Sequence, residues 1–76
     1  MNNEISNWLQ QGLPGAVVSV SGDGHHFEAL IIWQGFEGKN ALERHRLVYQ
    51  ALGNKMGREI HALSIHPFTP AEHKTE

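Results

Sequence analysis

Hydrophobic and polar positions change period several times along the chain. Ile5, Trp8 and Leu9 fall at i, i+3 and i+4, on one face of a helix. Asn2 or Asn3 can cap that helix, Gly12 is placed just past its end as a closing residue, and Pro14 prevents its resumption. From position 16 the period drops to two. Ala16, Val18 and Val20 face one way and Val17, Ser19 and Ser21 the other, predicting a strand over 16–21. Gly22-Asp23-Gly24 interrupts it, and alternation resumes over 26–33, with Phe27, Ala29, Ile31 and Trp33 opposite Glu28, Leu30 and Ile32. Two alternating runs about such a turn predict a β-hairpin.

A second break runs over 35–39. Asn40 then stands three residues before Glu43, as in a capping box, and Leu42, His45, Tyr49, Leu52 and Met56 recur at helical steps. Those five residues are the predicted buried stripe of a main helix that frays at Gly53 and Gly57, with a short separate turn beyond. The last strand is expected over 60–66, with His61, Leu63 and Ile65 on one face and His66 on the other. Pro67, Pro70 and a polar tail follow, disordered unless docked. The order helix, strand, strand, helix (helix), strand predicts an α+β fold, a three-stranded mixed sheet with helices packed on one face. The connection before the last strand is long enough for parallel pairing. One domain over 1–72 is expected, with a polar tail over 73–76.

Length sharpens the picture. Seventy-six residues make one domain with a thin core, burying roughly 60% of the unfolded surface. No apolar run reaches the roughly 18 residues that suggest a membrane span. The chain has no cysteine, which excludes disulfides, thiolate nucleophiles and any metal or cluster site built on thiolates of this chain. A small domain without disulfides fits a reducing cytoplasm, and no signal peptide is visible at the start. The net charge of −2 lacks the basic excess of a dedicated nucleic-acid binder. The unusual count is six histidines: His25, His26, His45, His61, His66 and His73. Histidine binds metals and titrates near neutral pH. No His-Glu-x-x-His spacing marks a zinc enzyme, and a thin-cored domain offers little room for a large pocket, so a binding role is expected rather than catalysis.

Three blocks carry a family resemblance. The first is Val20-Ser21-Gly22-Asp23-Gly24-His25-His26-Phe27-Glu28. The second is Phe36-Glu37-Gly38-Lys39, running into Leu42-Glu43-Arg44-His45-Arg46-Leu47-Val48-Tyr49. The third is Ile60-His61-Ala62-Leu63-Ser64-Ile65, followed by Thr69-Pro70. In this order and spacing, over about residues 1–72, the chain resembles the BolA family, and the first turn resembles a short bacterial branch of it. The resemblance implies a class II KH-like fold. It also implies an adaptor that pairs with a monothiol glutaredoxin and shares a [2Fe-2S] cluster in iron–sulfur trafficking or iron sensing. The alternative it implies is a KH-like nucleic-acid-binding transcriptional regulator. No enzymatic activity is established for the family.

The resemblance makes His61 a cluster ligand, against the plainer reading of a strand histidine hydrogen-bonded at the sheet edge. His25 or His26 supplies the loop side. Adjacent strand residues point to opposite faces, so at most one of the two converges on His61, and a turn side chain such as His25 swings more freely. Two imidazoles cannot complete a [2Fe-2S] site, which takes four ligands. The missing sulfur must then come from the glutaredoxin cysteine and bound glutathione, and the isolated domain, a monomer or weak dimer, is expected to hold no cluster. Lys39, Arg44 and Arg46 are the candidate contacts to a partner or to DNA, with both arginines flanking the helix stripe and mostly solvated. Gly35-Phe36-Glu37-Gly38 spells a KH clamp, but Glu37 would repel a phosphate backbone, and Phe-Glu-Gly-Lys is the family's recurring unit. His45 reads as semi-buried packing; His66 and His73 carry no assigned role.

Overall fold

The computed structural model describes residues 2–74. Helix α1 (Asn2–Gly12) is followed by strands β1 (Val17–Gly22) and β2 (Phe27–Ile32), a 3-10 turn (Gln34–Phe36), helix α2 (Ala41–Leu52), a second 3-10 turn (Gly53–Lys55), strand β3 (Leu63–Phe68) and a short helix α3 (Pro70–Lys74). The sheet order is β1-β2-β3, with β2 antiparallel to β1 and parallel to β3. This is the expected mixed three-stranded α+β arrangement. No helix among the described residues is long and apolar enough to cross a membrane.

The core lies between the sheet and the helices. Phe27, Ala29 and Ile31 of β2 point into it and meet Ile5 and Leu9 of α1, Val48 and Leu52 of α2, and Phe36 from the 3-10 turn. Sheet alternation does the sorting. Val18, Val20, Leu63 and Ile65 share the core side, while Glu28, Ser64 and His66 belong to the open face. Trp33 extends the β2–β3 pairing through its N–H to the Phe68 carbonyl and donates its indole N–H to the Pro14 carbonyl at 2.8 Å. Gly35 lies against the Trp33 ring so closely that an added Cβ would stand 2.5 Å from it. The Gly35–Gly38 loop is thus a packing turn: Phe36 is fully buried, edge-on to Trp33 at 5.3 Å between ring centres.

Several expectations are corrected. Asn2 and Asn3 already lie inside α1 rather than capping it, and Gly12 is the last helical residue rather than the one past the end. Its physical reason is packing: a Cβ on Gly12 would meet the Ala51 Cβ at 2.4 Å, so glycine lets α1 and α2 touch backbone to side chain. The Asn40–Glu43 capping box is present in both directions. The buried stripe of α2 is rotated from the expected one: Val48 and Leu52 are buried, whereas Leu42 and Tyr49 are 59% and 42% exposed. β3 starts at Leu63, not at 60. Ile60 is fully buried in an isolated bridge with Met56, and His61 sits in the bend between.

The tail is not loose where it is described. Thr69 accepts from the Glu72 N–H and donates its own N–H to Glu72, a capping box that starts α3 with Pro70 at its first position. Thr75 and Glu76, the end of the predicted tail, lie outside the described residues.

Candidate functional site

Parallel pairing of β2 with β3 brings the segments that precede both strands to one end of the sheet. The Phe27 N–H donates to the Ala62 carbonyl at 2.9 Å, just before the first register pair, Phe27 with Leu63. His25 and His61 each lie two residues before their strand, β2 and β3 respectively. Both are exposed, and both lie in bends rather than in the strands.

The loop carrying His25 and His26 is held from inside. The Asp23 carboxylate accepts the backbone N–H of His25 and of His26, each at 2.9 Å. These bonds, the one from His26 foremost, hold the Asp23 carboxyl below its ordinary value. Gly22 permits the turn, because an added Cβ would stand 2.5 Å from the His26 carbonyl and 2.9 Å from the Phe27 Cα. His26 Nε2 shares a hydrogen bond with the Ser64 hydroxyl at 3.2 Å, on the open face of the sheet. Among the described residues, the imidazoles of His25 and His61 make no hydrogen bond, so their nitrogens are available to an incoming ligand.

Among the described residues no three His, Asp or Glu side chains come together around a metal-sized space, and the chain has no cysteine.

The basic candidates separate. The reading of Arg44 as mostly solvated is corrected: its side chain is 13% exposed. Its guanidinium donates to both oxygens of Glu72 at 2.7 and 3.0 Å, to the Lys39 carbonyl at 2.9 Å and to the Pro67 carbonyl at 3.2 Å. It also lies 5.7 Å from the Phe36 ring centre. A guanidinium so engaged ties α2 to α3 and the β3 edge and has little left for phosphate. Lys39 and Arg46, by contrast, stay exposed and border a shallow surface depression with Glu43 and Leu47. His45 is half-buried, edge-on to Tyr49 at 6.4 Å, and His66 pairs with Glu28 on the open face at 3.2 Å.

Asp23, Ser64 and Glu72 were not singled out by sequence reasoning. Glu72 had a readable signal, since Thr69-Pro70-Ala71-Glu72 is itself a capping-box pattern. Asp23 and Ser64 had none beyond turn composition and strand parity.

Comparison with known proteins gives one answer throughout. The family model described as BolA-like protein matches residues 8–72. The chain is 39% identical over 72 residues to the acid stress protein IbaG of Escherichia coli K12, covering 93% of this chain and 86% of that one. It is 36% identical over 55 residues to the DNA-binding transcriptional regulator BolA of Haemophilus influenzae, 72% of this chain and 53% of that one. Among solved structures, a bolA protein homologue from Coxiella burnetii superposes with a TM-score of 0.90 at 49% identity, covering 97% and 96% of the two chains. The BolA domain of SufE1 from Arabidopsis thaliana superposes with a TM-score of 0.79 at 31% identity, covering 93% of each.

Proposed function

Because the chain belongs to the BolA-like protein family, we propose that it is a non-catalytic adaptor that binds a monothiol glutaredoxin and co-ligates a shared [2Fe-2S] cluster. In this reading His61 and one loop histidine hold one side of the cluster, and the glutaredoxin cysteine and glutathione hold the other. The observation that carries it is the placement of His25 and His61 at one end of the β2–β3 pair with free imidazoles, in a chain without cysteine. His25 is the favoured loop ligand, since His26 is drawn to Ser64. The occurrence of a BolA domain within a protein named SufE1 also fits the adaptor role.

When bound, the cluster supplies an electron- or cluster-transfer centre whose potential is raised by imidazole ligation relative to an all-thiolate one. This chain's residues do the rest. Asp23 fixes the loop backbone, the Phe27–Ala62 bond fixes the spacing of the two segments, and the imidazoles offer their nitrogens only when unprotonated. A reducing, cytoplasmic setting suits a partner whose thiol must stay free.

The test is reconstitution with a monothiol glutaredoxin, glutathione, iron and sulfide. A visible circular dichroism spectrum distinct from that of the glutaredoxin alone supports the reading. An unchanged spectrum, with no complex on gel filtration, refutes it.

A second reading, binding to DNA, rests on the DNA-binding regulator of Haemophilus influenzae among its relatives and on exposed Lys39 and Arg46. The net charge of −2 and the engagement of Arg44 by Glu72 weigh against it. A steep loss of duplex affinity with rising salt would favour it.

A further inference from the structure

The loop before β2 carries two imidazoles on adjacent residues. The Asp23 carboxylate accepts the backbone N–H of both His25 and His26 at 2.9 Å, so what distinguishes the two lies in their side chains. Across the sheet, Ser64 is the first residue of β3 on the open face and stands opposite Glu28. Its hydroxyl meets His26 Nε2 at 3.2 Å, while Glu28 is taken up by His66 Nε2 at 3.2 Å. Whichever partner donates, His26 Nε2 is spent. Its lone pair accepts the hydroxyl proton, or a proton of its own stands where the lone pair would be. Among the described residues no hydrogen bond engages the His25 ring.

We propose that Ser64 is a positioning residue that selects the loop ligand: it holds His26 in reserve on the open face, and removing its hydroxyl lets His26 ligate in place of His25. The inference rests on the adaptor reading and adds to it a residue that acts through a neighbour. The two rings offer the same chemistry, a neutral imidazole nitrogen, so a small bias decides between them. An uncharged hydrogen bond supplies a bias of about fivefold, enough to set a preference and too little to forbid the second ligand. The hydroxyl is the working group. Threonine at position 64 therefore keeps the selection and alanine abolishes it.

Nitrogen-15 spectra of the histidine rings, recorded on the whole chain without cluster, read the hold directly. Ser64→Ala is expected to shift the His26 ring nitrogens and leave those of His25 in place, and Ser64→Thr to keep the wild-type pattern. Reconstitution with a monothiol glutaredoxin, glutathione, iron and sulfide reads the consequence. His25→Ala is expected to hold less cluster than the wild type. Adding Ser64→Ala to it should raise the cluster held by about fivefold, and adding Ser64→Thr should not. A further His26→Ala change should abolish the rescue, and far-ultraviolet circular dichroism confirms that each variant is folded. A His26 ring indifferent to Ser64→Ala overturns the selection. So does a His25→Ala variant that keeps its full cluster, or one that alanine at position 64 fails to rescue, or one that threonine rescues as well. In each of these cases a wild-type cluster complex leaves the adaptor reading standing. A wild type that forms no such complex overturns both.

Discussion

Arg44 and Glu72, 28 residues apart, meet in a two-pronged ion pair with Nη1–Oε1 at 2.7 Å and Nη2–Oε2 at 3.0 Å. The pair joins the first turns of α2 to the C-terminal helix. The Arg44 guanidinium, with the Thr69 N–H second, holds the Glu72 carboxyl at about 2 rather than 4.5. A depressed folded-state value means that the stabilisation is complete above the unfolded value and is lost as protons bind. The wild type should therefore lose stability as pH falls from about 4.5 towards 2, and Glu72→Gln should lack this part of the acid dependence. Thermal unfolding from pH 6 to pH 2 checks it. Arg44→Ala should lower the melting temperature more than Glu72→Gln, because it also uncaps the Lys39 and Pro67 carbonyls.

The rotated stripe of α2 makes a paired prediction. Leu52→Ala, at a buried position, should cost about 2–5 kcal/mol, and Leu42→Ala should stay within about 0.5 kcal/mol. Urea unfolding of both variants measures the difference. Equal losses would restore the stripe read from spacing alone.

Gly12→Ala should destabilise by about 1–3 kcal/mol, although alanine is the better helix former. The added methyl has the Ala51 side chain in its place. A double variant with Ala51→Gly should recover part of the loss, and chemical denaturation of the three proteins shows whether it does.

Ile60→Ala should cost about 2–5 kcal/mol, since Ile60 is a fully buried core residue just outside β3. It should also loosen the neighbouring bend that carries His61. Amide exchange of residues 58–62, faster in the variant than elsewhere in the sheet, is the expected signature.

These corrections show what a pattern can and cannot reveal. The hairpin and the Asn40 cap were legible because both depend on contacts within a few residues: alternation about Gly22-Asp23-Gly24, and a side chain reaching three positions along. The α2 stripe was not, because Leu42, His45 and Tyr49 have the right period, and only the tertiary packing decides which of two adjacent stripes is buried. Arg44 was misread for the same reason: its partner Glu72 belongs to a segment that composition marks as a tail. The proposed site was readable only as far as its histidines. His61 and the loop histidines stood out, but the separation of His25 from His26 depends on Ser64, 38 residues from His26.

Imidazole ligation gives the proposed complex an acid limit. The heterocomplex spectrum should fade as pH falls through the histidine range, because each ligating nitrogen must release its proton. A spectrum unchanged at about pH 5, well below the free histidine value of about 6.5, would count against histidine ligation.

The central claim is that His61 nitrogen binds the cluster iron. It is tested most directly by pulsed electron paramagnetic resonance on the reduced glutaredoxin complex, prepared with this chain labelled with nitrogen-15 at its histidines. The account predicts strong nitrogen-15 coupling to the cluster spin that is lost or halved in His61→Ala, reduced in His25→Ala and unchanged in His26→Ala. A reduced cluster with no coupling to the labelled chain, or with coupling that survives His61→Ala unaltered, would contradict it.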